Sequence, residues 1–366
     1  MNRKKQGGFS RFGLLIMADD ITIKIKKAAG RLMDAASCYP ADGIAQYYSL
    51  NSKWYMPSIN LAGEIIPLFY DLSEFLNDET YRKKACELAE LIMDKKFRTV
   101  ENLYTLPVFQ ASQIMSGLLE FYKHESDDKA LYLIVKIAEW LASIQDPDGK
   151  WKYIFEGEKE IRFLTYDTRS AYVLLELWKL TGISRFYNCA DKNIKFVLSQ
   201  QLSNGWYRNN SPYPEDEAEL RYIAYVMNSV LWSGIILEDK RYINSAKICA
   251  DTLIKMQNNK GDLPVKYNKL FHPVATKTCC AGNAQIAIAL FDLFEVCEDQ
   301  KYLESALRIN KSLCEIQNTN SDSGKIGGAI LSERGSRIYS SYATMYFIRS
   351  LLKHYEMVLN EGESNR

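Results

Sequence analysis

The sequence predicts an all-α protein in which about twelve helices form one closed ring with two concentric layers. Five segments share an aromatic residue near a helix start and an apolar period of about 3.6 residues, and four of them end in glutamine and a glycine-containing turn. Six further segments between them are apolar over much of their circumference, as buried helices are. Two helices per repeat of about 50 to 60 residues indicate a solenoid or a ring, and six pairs favour closure.

The outer layer is predicted from the five segments that have an aromatic residue near the helix start, four of which end in glutamine. We expect outer helices at 80–93, 131–145, 186–201, 241–257 and 301–317, with an opening helix at 21–37. Glycine after a polar run in the turns at 145–151 and 201–206 suits the end of a helix. We expect Trp151 and Trp206 to pack between repeats, together with the tyrosines near the helix starts, which are Tyr81, Tyr132, Tyr187, Tyr242 and Tyr302.

The inner layer is predicted at 60–77, 108–124, 166–181, 220–237, 279–297 and 339–358. Each segment has a normal helix length and is rich in alanine, glycine and serine. The chain shows no sustained strict alternation of apolar and polar residues, so we expect little β structure. Residues 20–366 are therefore predicted to form a single domain, preceded by a flexible basic and apolar arm at 1–19.

Composition excludes several classes of protein. With 46 Lys and Arg against 45 Asp and Glu, the chain lacks the basic excess of a nucleic-acid binder. No apolar stretch approaches the ~18 residues of a membrane helix, so no transmembrane segment is expected. The eight cysteines fall largely in apolar helical patterns, and no signal peptide is recognised, which predicts a cytoplasmic protein with reduced thiols. Only three histidines are present, so we expect no metal and no other cofactor.

The turn at 145–151 resembles the glutamine–tryptophan turn of terpenoid cyclases and prenyltransferases. More broadly, the chain is similar to (α/α)6 toroids, or six-hairpin barrels, a superfamily that includes glycoside hydrolases, uronate lyases and sugar epimerases. Segments 57–67, 165–169, 200–206 and 278–285 resemble an uncharacterised family of toroid proteins found with polysaccharide biosynthesis genes. The resemblance implies a fold and a carbohydrate context, but no particular reaction.

In such a ring we expect the lumen to be closed at one end by short turns. It should open at the other end, where long loops enter the inner helices, at 39–59, 97–107, 152–165, 207–219, 262–278 and 324–338. Loops of this length without structure of their own are often functional. Residues at the starts of the inner helices are therefore the candidates for a site.

Three of these residues are candidates for acid/base chemistry. Asp167 and Glu64 can form a carboxylate pair across the lumen, and Tyr225 is the alternative proton donor or acceptor. Each also has a structural interpretation. Asp167 can cap its helix, Glu64 can interact with the helix dipole, and Tyr225 can be a core aromatic.

Eight further polar or aromatic residues are predicted to bind substrate: Tyr166, Arg169, Gln110, Arg221, Asn283, Gln285, His272 and Tyr342. Structural alternatives stay open for several of them. Arg169 can be an ion-pair partner, Gln110 an interhelix tie, and His272 a structural histidine. A zinc site of Cys279 or Cys280 with His272 is disfavoured because adjacent cysteines rarely bind one ion and no CxxC pair is present.

Three functions remain open from the sequence. The first is a protein that acts on or binds a polysaccharide or oligosaccharide in the central cleft, with a hydrolase, lyase or epimerase reaction if it is an enzyme. The second is an enzyme like terpenoid cyclases or prenyltransferases, although the chain has no DDxxD or DxDD motif. The third is a non-catalytic ring that binds a chain or a protein partner. The sequence does not determine the oligomeric state.

Overall fold

A computed structural model describes residues 11–96, 107–154, 161–212, 217–319 and 326–364. These residues form twelve α-helices that alternate between an outer and an inner layer. The outer helices are α1 (Arg11–Ser37), α3 (Glu79–Lys96), α5 (Asp128–Ser143), α7 (Ser184–Ser199), α9 (Lys240–Met256) and α11 (Gln300–Ile316). The inner helices are α2 (Ile59–Leu76), α4 (Val108–Glu125), α6 (Thr168–Thr181), α8 (Leu220–Ile236), α10 (Cys280–Cys297) and α12 (Ser341–Ser364).

The helices close into a ring, which confirms the predicted fold class. Each inner helix packs against the next inner helix, and α12 completes the circle by packing on α2. Every inner helix also packs on one outer helix; the partner of α12 is α1, from the other end of the chain. The apolar core therefore lies between two concentric layers, and the starts of all inner helices point to one end of the ring.

The outer helices are tied together by four equivalent glutamines. Each donates from Nε2 to the carbonyl of its own turn glycine and to a carbonyl of the next outer helix, at 2.8 to 3.3 Å. The sets are Gln145 with Gly149 and Cys189, Gln201 with Gly205 and Ser245, Gln257 with Gly261 and Ser305, and Gln317 with Gly328 and Lys24. The fourth set reaches α1 and closes the ring. We call these four sets the glutamine seam.

The seam glycines let neighbouring hairpins approach closely. Gly328 has φ +81°, and a Cβ there would lie 2.1 Å from the Lys27 carbonyl oxygen of α1. Gly149 has φ +95°, and its Cβ would lie 2.3 Å from the Lys192 carbonyl oxygen of α7. Glycine is required at these positions both for the backbone conformation and for the contact.

The predicted packing role of the repeated aromatics holds for most of the ring. Trp151 and Trp206 are buried, as are Tyr81, Tyr242 and Tyr302. The second repeat differs, because Tyr132 is 64% exposed. In the third repeat the fully buried aromatic is Phe186 instead of Tyr187.

The long loops carry seven short strands, so they are more ordered than the sequence predicts. A hairpin of β1 (Ile44–Ser49) and β2 (Lys53–Ser58) is extended on the β1 side by β7 (Ile338–Ser340). Two further antiparallel pairs are β3 (Tyr153–Ile154) with β4 (Ile161–Arg162), and β5 (Glu217–Glu219) with β6 (Lys266–Asn268). Parts of the predicted loops, at 97–106, 155–160, 213–216 and 320–325, lie outside the described residues.

Two expectations about the chain's organisation are refined. Within the predicted arm at 1–19, residues 1–10 lie outside the described residues, whereas 11–19 belong to α1. Helix α10 has the length and composition of a membrane span, which the sequence analysis missed, but 72% of it is buried inside the ring, as in the core helix of a globular fold. All eight cysteines are free thiols.

Candidate functional site

A layer of polar side chains crosses the lumen and divides it into two cavities. Its centre is Glu64 of α2, whose side chain is fully buried. Gln113 Nε2 donates to Glu64 Oε1 at 2.7 Å, and the Tyr346 hydroxyl donates to Oε2 at 2.7 Å. Arg169 Nη2 lies 3.4 Å from Oε1. We call Glu64, Gln113, Arg169 and Tyr346 the Glu64 layer.

Close helix packing positions this layer. The backbones of α2 and α4 touch at Gly63 and Gly117, where an added Cβ would lie 2.4 Å from the Gln113 carbonyl oxygen and 2.5 Å from the Gly63 carbonyl oxygen, respectively. Arg349 Nη2 donates to the Glu64 backbone carbonyl at 2.8 Å, which fixes α12 against α2. Burial and the field of Glu64 raise the pKa of Tyr346, so its hydroxyl stays a proton donor to the carboxylate.

The cavity on the side of the helix starts has a volume of about 660 Å³. We call it the mouth cavity. One wall is aromatic: the rings of Tyr166 and Tyr222 stack at 5.2 Å between centroids, and Phe109 packs against Tyr166 at 5.2 Å and Tyr225 at 4.8 Å. These residues sit at or just before the first turns of α4, α6 and α8, which bring them together from three hairpins.

The opposite wall comes from the β1–β2 hairpin. Tyr47 and Tyr55 stack at 5.6 Å between centroids and line the cavity. Arg221 lies between the walls, with its Cζ 4.9 Å from the Tyr222 ring centroid and its Nε 2.8 Å from Glu219 Oε2. Burial disfavours its charge, but the fields of Tyr222 and Glu219 raise the pKa of Arg221 overall, so it stays cationic.

Four of the tyrosines that line the mouth cavity are neutral hydrogen-bond donors at ordinary pH. Burial is the main cause of the raised pKa of Tyr47, Tyr166, Tyr225 and Tyr342. A nearby carboxylate adds to the rise in Tyr166, Tyr225 and Tyr342, since it repels a phenolate. Such hydroxyls donate hydrogen bonds, but the raised pKa makes them weaker proton donors, and the phenolate that would act as a base is scarce.

The structure brings five of the predicted site residues together in the mouth cavity. They are Tyr166, Tyr225, Gln110, Arg221 and Tyr342. The cavity is also lined by residues that the sequence analysis did not select, including Gln46, Tyr47 and Glu333. Tyr47 lies in the short aromatic segment 44–49, so the sequence contained a signal that could have identified it. Its position near Arg221 depends on tertiary structure.

Asp167, Glu64 and Arg169 lie away from the mouth cavity. Asp167 is the last residue of the 3₁₀ turn Thr165–Asp167 and occupies the N-cap position of α6, but its side chain makes no capping hydrogen bond. Its carboxylate is buried and does not line the cavity. Glu64 is enclosed in the Glu64 layer, and Arg169 lines the cavity on the far side of that layer.

The other three predicted residues are not among those that line the mouth cavity. The Asn283 amide exchanges hydrogen bonds with the backbone of Leu263 at 2.8 and 2.9 Å and donates to the Cys279 carbonyl at 2.9 Å, so it ties a loop to α10. Gln285 is buried beside the Tyr225 hydroxyl and offsets part of the rise in its pKa. His272 is exposed in the turn after β6.

A second cavity of about 820 Å³ lies at the other end of the lumen, where the sequence predicts closure by short turns. It is lined mainly by the second halves of α2, α4 and α8, together with residues of α6, α10 and α12. Throughout the part of the chain that the structure describes, no group of three or more His, Cys, Asp or Glu side chains is placed to hold a metal ion.

Solved structures share this architecture over nearly the whole chain. An unsaturated glucuronyl hydrolase specific for heparin is 15% identical, with a TM-score of 0.77, and the alignment covers 93% of this chain and 98% of that one. A sugar epimerase from a ruminal bacterium is 12% identical (TM-score 0.75; 93% and 99% covered), and the cellobiose 2-epimerase from Bacillus thermoamylovorans B4167 is 10% identical (TM-score 0.74; 93% and 99% covered).

At this level of identity the likeness establishes the fold alone. The chain has the (α/α)6 toroid fold of six-hairpin enzymes. No protein-family model matches the chain, and no curated protein matches it in sequence.

Proposed function

We propose that the protein binds an oligosaccharide in the mouth cavity and belongs functionally with carbohydrate-active six-hairpin proteins. The observation that carries the proposal is the pairing of aromatic faces with polar groups in one cavity of about 660 Å³. The rings of Tyr166, Tyr222, Tyr47 and Tyr55 offer apolar faces of the kind that sugar rings stack on. Gln110 and Arg221 supply amide and guanidinium groups for the hydroxyls.

The structural neighbours support this substrate class, since they are named as a glucuronyl hydrolase and as sugar epimerases. The resemblance of 57–67 and 278–285 to toroid proteins found with polysaccharide biosynthesis genes favours a glycan that is being built or edited. Eight free cysteines suit a reducing compartment, so we propose a cytoplasmic site of action.

For a reaction, we propose Tyr225 as the proton donor. Tyr225 lines the mouth cavity and is protonated, and it would give up its proton only where strong negative charge develops on a substrate oxygen. The carboxylates that line the same cavity are Glu219 and Glu333, and either can act as the base after its cationic partner moves to the substrate. In this proposal Asp167 and Glu64 hold the site together, because both are buried away from the cavity.

Replacing Tyr225 tests this assignment. Tyr225→Phe removes one oxygen and keeps the ring that packs on Phe109. For an oligosaccharide that the wild type converts, we expect the turnover rate to fall by about 10²-fold or more, with the Kd nearly unchanged. General acids typically raise a reaction rate by roughly 10² to 10⁴-fold. The matched control is Tyr132→Phe, which changes an exposed tyrosine of the outer layer. A Tyr225→Phe variant with full turnover would refute the assignment.

A non-catalytic saccharide-binding ring is the second candidate. It is favoured by the raised pKa of Tyr47, Tyr166, Tyr225 and Tyr342 and by the enclosure of Glu64. In that case the wild type binds oligosaccharides in ligand-observed NMR, does not change them, and loses binding in a Tyr166→Ala and Tyr222→Ala double variant. If no neutral or acidic oligosaccharide binds at millimolar concentration, both candidates fail. The charged groups of the cavity do not favour a terpenoid or prenyl substrate.

A further inference from the structure

The β1–β2 hairpin forms one wall of the mouth cavity, and both of its faces are aromatic. Tyr47 and Tyr55 are opposite each other in the register and line the cavity. Tyr48 and Trp54 form the next pair, with ring centroids 5.2 Å apart at an angle of 78°, and neither lines the cavity. Because successive side chains of a strand point to opposite faces, the second pair lies behind the first. The position of the second pair therefore affects the position of the first.

Arg31 of α1 packs against this second pair of rings. Its Cζ lies 3.6 Å from the Trp54 ring centroid and 4.6 Å from the Tyr48 ring centroid. Both distances are within the range of a cation–π interaction, and a planar guanidinium can stack on an aromatic face. Arg31 is only 4% exposed, so the contact is almost completely shielded from water. We call Arg31, Tyr48 and Trp54 the arginine clamp.

The arginine clamp would be costly if it served only to fill space. Nη1 and Nη2 of Arg31 are buried and have no hydrogen-bond partner among the described residues. Burial lowers the pKa of Arg31 to about 10, against the opposing field of Asp34, so the group stays protonated at neutral pH. A buried donor without an acceptor is unfavourable, and an apolar side chain of similar length would avoid that cost. What arginine adds is a charged plane that can orient two rings at once.

Strand β2, which carries Trp54 and Tyr55, needs such support. The sheet order is β2–β1–β7, so among the described strands β2 pairs with β1 alone. Its residues Lys53 and Met56 have φ of +59° and +55°, a left-handed conformation that is strained for residues with a side chain. Such residues keep this conformation where surrounding contacts impose it. Met56 directly follows Tyr55, so the backbone that places the Tyr55 ring depends on contacts to β2.

We infer that Arg31 is a positioning residue for the mouth cavity, which fixes the Tyr47 and Tyr55 rings through the pair of rings behind them. The inference rests on the proposed function, because it concerns the wall on which a sugar ring would stack. Arg31 itself does not line the cavity, so it acts on a ligand only through the hairpin. Because Arg31 belongs to α1, an outer helix contributes to the shape of the cavity.

Arg31→Met tests the inference, because it removes the charged plane and keeps a side chain of similar length. The probes are cellotriose, chitotriose and trigalacturonate, titrated into the protein and followed by ligand-observed NMR. For each trisaccharide that the wild type binds, we expect the Kd to rise about 10-fold, because the ligand then has to order the hairpin on binding.

The stability of Arg31→Met separates positioning from packing. We expect the variant to unfold at a urea concentration no lower than that of the wild type, since the buried donors of the guanidinium are removed. Weaker binding together with easier unfolding would indicate a packing role and would overturn the inference.

Trp54→Leu breaks the same clamp from the other side and is the second variant. Trp54 does not line the cavity either, so we expect a similar rise of about 10-fold in the Kd. If Arg31 acts through Trp54, adding Arg31→Met to Trp54→Leu should weaken binding by no more than about 2-fold further. Fully additive effects of the two substitutions would contradict the inference.

Arg241→Met is the matched control. Arg241 also lies near an aromatic ring, with its Cζ 5.7 Å from the Tyr242 centroid, but it belongs to the outer helix α9 and does not line the mouth cavity. This variant should bind each trisaccharide as the wild type does. If the wild type binds none of the three at millimolar concentration, the proposed function fails and the inference fails with it. If Arg31→Met binds as tightly as the wild type, only the inference fails.

Discussion

The glutamine seam of the outer layer and the lumen of the inner layer differ in whether their polar residues repeat from one hairpin to the next. In the seam, the same two hydrogen bonds recur in four turns, and the last of them joins α11 to α1. In the lumen, four inner helices contribute different side chains to the Glu64 layer, which are Glu64 from α2, Gln113 from α4, Arg169 from α6 and Tyr346 from α12. Residues that recur in successive hairpins hold the ring together, whereas residues that do not recur form the polar layer and the cavities.

The two regions also differ in the interactions that stabilise them. The seam satisfies backbone carbonyls at the rim with neutral amides, at a modest gain for each bond. The Glu64 layer instead holds a buried carboxylate and a buried guanidinium, whose removal from water is costly unless both are present. We therefore expect single substitutions in the layer to cost more than single substitutions in the seam.

The largest expected effect comes from breaking the Glu64 layer. Arg169→Met leaves the fully buried Glu64 carboxylate without its cation, so we expect a loss of about 3 to 5 kcal/mol in the free energy of unfolding in urea. The double variant Glu64→Gln and Arg169→Met removes both charges and should recover most of the loss. A loss below about 1 kcal/mol in Arg169→Met would show that the pair is not the centre of the layer.

A somewhat smaller effect is expected from the closing turn of the seam. Gly328→Ala places a Cβ against the Lys27 carbonyl and should cost about 3 kcal/mol, from backbone strain and overpacking together. Gly335→Ala is the matched control, because Gly335 has the same φ of +81° but nothing within 4 Å. It should cost only about 1 kcal/mol. Equal losses in urea unfolding would mean that ring closure does not depend on the close approach at Gly328.

The smallest effect concerns Asp71, which lines the second cavity of the lumen. The folded-state pKa of Asp71, about 6, lies above the ordinary value of 3.8, so the native state binds the proton more tightly than the unfolded state. Stability then falls as pH rises from about 4 to 6 and stays lower above that range. Asp71→Asn removes this penalty. Asp71 is exposed, so solvent screens part of this free-energy penalty. We therefore expect the variant to be about 1 kcal/mol more stable at pH 7.5.

The pH dependence supplies the control for Asp71→Asn. At pH 4 the aspartate is largely neutral in the native state, so the variant and the wild type should unfold at closely similar urea concentrations. A stability gain that is the same at pH 4 and pH 7.5 would contradict the raised pKa of Asp71, caused first by burial and to a lesser extent by neighbouring acids, as its source.

The sequence was most informative where its signal is local and repeated. The inner helix predicted at 108–124 is Val108–Glu125, and the one predicted at 279–297 is Cys280–Cys297. Apolar periodicity and glycine stops depend on near neighbours in the chain. The twelve helices and their order around the ring could therefore be predicted without knowledge of any tertiary contact.

The site was predicted less well, because side-chain roles there depend on partners far along the chain. Asn283 lies one turn into an inner helix, as a ligand would, yet Leu263, at the far end of the loop that enters the same helix, takes its amide. The strands of the mouth pair residues from separate loops, as Tyr47 does with Ser340. The second cavity, of about 820 Å³, was not predicted, because only the starts of the inner helices were considered as candidates for a site.

The packing of α1 on α12 has a consequence for how the chain folds. Gln317 reaches Lys24 across 293 positions of sequence, so α1 cannot be covered until α11 and α12 have been synthesised. During translation, Ile25, Ala28 and Leu32 of α1, which are fully buried in the ring, remain without their partners. Such a nascent chain exposes apolar surface until its last helix emerges, and we expect slow, late closure with a need for chaperones.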